Sequence, residues 1–241
     1  MPLYEIISLI GFILGTTLHI VLSILIVQRK HKTRSELVFL FLVISVAMWH
    51  FGNAVSSFSF ILFGKGIPSV NLVADSISYA GIGFMPSLLL HTAVLFLFES
   101  RPQIKKNLQR LIIIAFYLPV IPFSVVIKKF ILSEDTYLMV TASHYVKPFV
   151  VWLIVALFIA ASISKRLSKM VEEKEVQKFH LAIFWSVIAI AILIGFTLLF
   201  EGNKLPYIGN YLVLISMLSS IFPSIIFSYY VYRYNYMEFV L

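Results

Sequence analysis

The sequence predicts an all-α, polytopic membrane protein, a bundle of seven transmembrane helices. Three observations predict it. The 241 residues are 60% hydrophobic and only 12% charged, against about 45–50% and about 25% in soluble domains. The mean hydropathy is +0.97. The apolar residues fall into seven runs, each long enough to cross a hydrocarbon core of about 30 Å. These runs do not alternate apolar and polar residues, so they do not describe a β-barrel. With no cysteine, disulfides, thiolate metal sites and cysteine nucleophiles are excluded.

The predicted spans are 4–27, 37–63, 72–98, 111–131, 146–164, 179–200 and 208–232, in one membrane domain covering 1–241. The first ends at the basic stretch Gln28–Arg34 and lacks the basic leading region and cleavage site of a signal peptide. The third is interrupted by Asp75, and the fourth contains Pro119 and Pro122. Pro148 stands at the start of the fifth. The segment 165–178 mixes Lys169, Lys174 and Lys178 with Glu172, Glu173 and Glu175 and reads as a solvated helical extension.

Lys and Arg set the expected orientation. Fourteen of the 19 lie in the stretches 28–36, 99–110 and 165–178 or at Arg233. The other five are Lys65, Lys128, Lys129, Lys147 and Lys204. The expectation is an N-terminus outside and a C-terminus in the cytoplasm of a multi-pass cell (inner) membrane protein. The net charge of +8 is then a cytoplasmic rim, and nucleic acid is not a partner.

Polar residues in hydrocarbon are costly and face the bundle interior. At 100° per residue, Glu5, Ser8, Thr16, His19 and Ser23 share one face of the first span. Ser45, Trp49, Gly52, Asn53 and Ser56 share one stripe of the second, and Asp75, Ser78, Tyr79, Ile82 and Pro86 one stripe of the third. The faces are expected to meet. Depth selects Glu5, Trp49, Asn53, Asp75, Ser78 and Tyr79 as an outward-opening polar cluster, a candidate site for an unknown small ligand. The plainer reading is that these groups pack helices and satisfy one another.

His19 and His91 lie about 12 Å and about 10 Å from the inner ends of their spans by helix rise. His50 lies farther out. His91 is nearly opposite Asp75 on its helix, so the two should not pair. No histidines stand at i, i+4 and His-Glu-x-x-His is absent, so no metal or cofactor is expected. Pro86, Pro119, Pro122 and Pro223 each remove a backbone hydrogen bond. Pro223 stands about ten residues before the exit, where a bend would move whatever follows.

Three stretches carry a family resemblance. The last span closes with Phe222-Pro223-Ser224-Ile225-Ile226-Phe227-Ser228-Tyr229-Tyr230-Val231-Tyr232-Arg233-Tyr234. The third contains Pro86 followed five residues later by His91 and then an apolar-aromatic run. A basic turn joins the first two spans, and the second carries Ala47-Met48-Trp49-His50-Phe51-Gly52. The layout resembles the N-terminal seven-helix region of bacterial and archaeal sensor histidine kinases and related signalling proteins. Asn235 departs from that pattern where a second basic residue would stand.

The resemblance implies a non-catalytic sensor embedded in membrane lipid. Its signal would pass through His19, His91, Pro86, Pro223 and Arg233 to a cytoplasmic output domain fused at the C-terminal side, which the sequence ending at Leu241 is expected to lack. A homodimer is implied by resemblance alone. A retinal protein would need a lysine inside the last span, and a coupled receptor an Asp-Arg-Tyr motif where Glu99-Ser100-Arg101 stands. No paired nucleophile and base or phosphate loop suggests an enzyme. The alternative is a small seven-helix carrier, although the two helix triplets do not mirror each other.

Overall fold

The computed structural model describes residues 3–64, 67–100, 104–125 and 143–234, with the side chains of 143–146 and 231–234 outside the description. The chain is all-α, with seven helices each long and apolar enough to span a membrane. It is a multi-pass membrane protein.

Helix α1 runs Leu3–Val27, α2 Arg34–Phe63 and α3 Pro68–Glu99. The fourth span, Lys106–Val125, comprises α4 (Lys106–Tyr117), a turn at Leu118 and Pro119, and a last helical segment 120–125. The expected residues 126–131 of this span lie outside the described residues. Helix α5 is Ser143–Ser168, and α6 is Lys174–Ile194, continuing as a π-helical turn Gly195–Leu199. The seventh span consists of α7 (Gly209–Leu218) and α8 (Ile221–Tyr234).

The start of α2 follows from its sequence. Thr33 accepts a hydrogen bond from the Glu36 amide at 3.2 Å, and Glu36 accepts one from the Thr33 amide at 2.8 Å. This capping box satisfies two orphan amides of the first turn. Glu36 also pairs with Arg29, and Ser35 donates to Glu99 at 2.8 Å, tying the start of α2 to the end of α3. The end of the bundle holding Thr33, Glu99 and Lys174 is its basic end.

Helices α2 and α3 make the most extensive pairing, followed by α1 with α2 and α5 with α6. α3 also packs on α5, α6 on α8, and the seventh span on α1. Six spans thus close a ring in the order 1, 2, 3, 5, 6, 7. The fourth span stands outside it against α3. Ile113 is the one buried residue of α4, whereas Leu111, Ile114 and Ile121 are more than half exposed. In a bilayer, acyl chains cover such a face.

Apolar clusters close the ring near the basic end. Leu22, Ile26, Val43, Phe179 and Phe227 join spans 1, 2, 6 and 7. Val38, Leu95, Phe98, Ile113 and Leu167 join spans 2, 3, 4 and 5. Glu201, in the loop after α6, pairs with Lys204 and Lys147. The Lys204 ammonium, with a smaller contribution from Lys147, holds its carboxyl below the usual carboxylate range.

Candidate functional site

The polar stripe of α2 faces α3. Asn53 donates to the Trp49 carbonyl at 2.6 Å and to the Ser78 hydroxyl at 3.3 Å, and Ser78 donates to the same carbonyl at 3.3 Å. Ser45 donates to the Gly81 carbonyl. Asp75 and Tyr79 lie half-buried on α3, one turn apart. Trp49, Asn53 and Ser78 are therefore brought together. Glu5 is not: among the described residues no hydrogen bond or ion pair joins it to this group. It sits half-buried in the first turn of α1, next to Tyr4, whose ring meets Tyr211 of α7 edge-on at 6.0 Å.

The polar face of α1 meets α2 and the seventh span instead of α3. A Cβ at Gly15 would stand 2.8 Å from the His50 ring, so glycine there lets α2 approach. His50, fully buried, sits 5.4 Å from the His19 ring, centroid to centroid. His50 Nε2 is 2.8 Å from the Ser220 hydroxyl, and His19 Nε2 is 2.8 Å from the Ser224 hydroxyl. His19 Nδ1 lies 2.6 Å from the Gly15 carbonyl.

A carbonyl only accepts, so His19 Nδ1 carries a proton. In the neutral ring Nε2 must then accept from Ser224. The Ser224 hydroxyl also lies 3.0 Å from the Ser220 carbonyl, and it has one proton to give. Protonation of His19 would let Nε2 donate and return the serine proton to that carbonyl.

Both serines stand beside a break in the seventh span. α7 ends at Leu218 and α8 begins at Ile221. Pro223 has no amide proton to give, and its ring crowds the Ser219 carbonyl. Phe222 supplies a tighter three-residue bond to that carbonyl at 3.2 Å. Ser219 donates its hydroxyl to the Ser216 carbonyl at 2.6 Å, and Ser216 donates to the buried Thr197 hydroxyl in the π-helical turn at 3.0 Å.

The ring of six spans surrounds a partly open cavity of about 310 Å³. Both sides of the helix break line it, from Val213 to Phe227, together with His19. Among the described residues no Lys, Arg, Asp or Glu lines it, and none of the fourth span's described residues is in its wall. Trp49 is the one residue of the expected polar cluster that borders it. Apolar side chains dominate, as in most small-molecule sites.

The remaining expected relay residues lie apart. His91 bonds through Nδ1 to the Tyr117 hydroxyl of α4 at 3.0 Å and does not meet Asp75. Pro86 is buried in an unbroken α3, and its neighbour Ser87 donates to the Phe116 carbonyl at 2.6 Å. Arg233 lies in the backbone of α8, and its side chain is outside the described residues. Among the described residues no group of three His, Asp or Glu could hold a metal ion.

Sequence reasoning missed the cavity and the partners of the histidines. Four serines at 216, 219, 220 and 224 around a proline were the available signal for the break. No family model, curated protein or solved structure matches the chain.

Proposed function

We propose that the chain is a membrane-embedded receptor module whose central cavity takes a small or membrane-derived signal. The seventh span reports occupancy to a cytoplasmic output domain, such as a histidine kinase. One observation carries this reading: the broken span forms part of the cavity wall and is bonded across the bundle to His19 and His50. An occupant would touch the break directly. A change in the angle between α7 and α8 moves the end of α8. The distribution of Lys and Arg supports placing that end in the cytoplasm and the N-terminus outside. The resemblance of the Phe222–Tyr234 stretch to sensor kinases supports the output class.

The absence of cysteine makes a direct test simple. Spin labels at Phe41→Cys and Tyr229→Cys, both exposed positions, report the distance between α2 and α8 by electron-electron resonance in nanodiscs. Filling the cavity from within by Ala93→Phe is expected to shift that distance by about 1–2 Å, the scale of signalling helix shifts. An unchanged distribution in a folded variant contradicts the relay. A second reading, a carrier, draws on the same break, because carriers place discontinuous helices at their substrate sites. Flux of a solute through proteoliposomes would favour it.

A further inference from the structure

We propose that the cavity binds an elongated, uncharged lipid bearing one hydrogen-bonding oxygen, and that Thr92 is its polar anchor. The proposal rests on the receptor reading for the cavity's role, and it names the ligand class. Three observations carry it.

The first is shape. The wall runs from Ile82 to Phe96 on α3 and from Leu153 to Leu167 on α5, each about 21 Å by helix rise. A cavity of about 310 Å³ that extends so far along the helices has room for an extended chain. The second is charge. Among the described residues the wall holds no Lys, Arg, Asp or Glu, and its two histidines, His19 and His180, already face protein partners, so a charged headgroup would lose its hydration without a carboxylate, ammonium or guanidinium to replace it. An uncharged molecule meets no such penalty.

The third is an orphan. Thr92 lines the cavity and is 5% exposed, and its hydroxyl has no hydrogen-bond partner. Among the described residues it is the only cavity-lining residue with a buried polar side-chain atom in that state. The wall's serines are engaged. Ser164 donates to the His180 carbonyl at 2.9 Å, and Ser216, Ser219, Ser220 and Ser224 belong to the network around the break. Threonine in a helix has two accessible χ1 states, so the Thr92 hydroxyl can turn at the wall without movement of the backbone. An alcohol, ketone or ester oxygen arriving there would satisfy a group the fold leaves unsatisfied. Thr92 and His180 stand at similar depth, about 10 Å from the basic end by helix rise. The ligand's polar end therefore faces that end, and its tail follows α6 and α7 toward Leu198 and Val213.

The test uses the full chain in nanodiscs of phosphatidylethanolamine and phosphatidylglycerol. The probe is hexadecanol carrying a mid-chain diazirine and a terminal alkyne. The same chain as an ammonium and as a sulfate ester supplies the charged comparators. Labelled peptides are read by mass spectrometry. The alcohol probe is expected to label α3, α5 and α6 lining residues, competed by plain hexadecanol, and at least tenfold more than either charged probe. Thr92→Val is expected to weaken competition about fivefold while preserving or raising thermal stability, since it removes an unpartnered hydroxyl. Thr92→Ser is expected to restore binding.

Equal labelling by a charged probe, or unchanged competition in Thr92→Val, overturns the ligand class and leaves the receptor reading standing. No labelling of the lining by any probe overturns the cavity as a ligand site altogether. Organic extracts of the purified protein assign the source when the class holds. A stoichiometric uncharged lipid marks a membrane constituent, and an empty extract marks a molecule supplied from outside.

Discussion

Ser224 has one hydroxyl proton and two acceptors within reach, the His19 ring and the Ser220 carbonyl. Its removal therefore has a defined cost. Ser224→Ala leaves His19 Nε2 buried without a partner, which costs about 1–3 kcal/mol. His19→Leu is expected to cost a similar amount, and the double variant less than the two together, because the residues share one bond. Unfolding by SDS in mixed micelles measures all three; strict additivity would remove the coupling. Sequence reasoning could place His19 at depth, since the apolar run around it fixes its height. It could not supply the partner, which stands 205 residues away. Helical periodicity names the face of a residue and not the helix that covers it. Asn53 and Ser78 were easier because their helices are consecutive and pair along their length.

At the scale of elements, two prolines equally visible in the sequence behave differently. Pro86 sits in a continuous α3, whereas Pro223 follows a break. The difference lies in the surroundings. Ser216, Ser219, Ser220 and Ser224 offer hydroxyls and alternative bonds around the gap in the seventh span, whereas α3 near Pro86 is tied to its neighbours by Ser45 at Gly81 and by Ser87 at Phe116. The seven helices themselves were legible because length and hydropathy are local properties. Their order around the ring was not, since it depends on which surfaces fit. Close fit between α2 and α3 rests on Gly81, where a Cβ would press on the backbone of Ser45 and Trp49. Gly81→Ala is expected to force the helices apart and destabilise the protein by about 1–3 kcal/mol, the usual cost of overpacking. Thermal melting in detergent checks this. Gly64, with open space around it, lies outside that contact. A melting temperature unchanged by Gly81→Ala would show that α2 and α3 do not depend on it.

For the whole molecule, the orientation proposed from the distribution of Lys and Arg is open to direct measurement. With the N-terminus outside, a single cysteine at Lys204 reacts with an impermeant maleimide added to intact cells, and one at Lys169 reacts only after permeabilisation. The reverse pattern would invert the molecule and place the end of α8 outside. The described part of the fourth span stands off the ring with its apolar face exposed, and the other six spans surround the cavity. The lack of Lys, Arg, Asp and Glu among the described residues of that wall also bears on the electrical state of the cell. A charge carried through the membrane field exchanges about 2.3 kcal/mol with every 100 mV. An uncharged occupant carries none and finds none of these ionised side chains to displace along the wall. On the proposed reading, filling of the chamber is expected to follow supply of the ligand and to be the same in a polarised and a depolarised membrane.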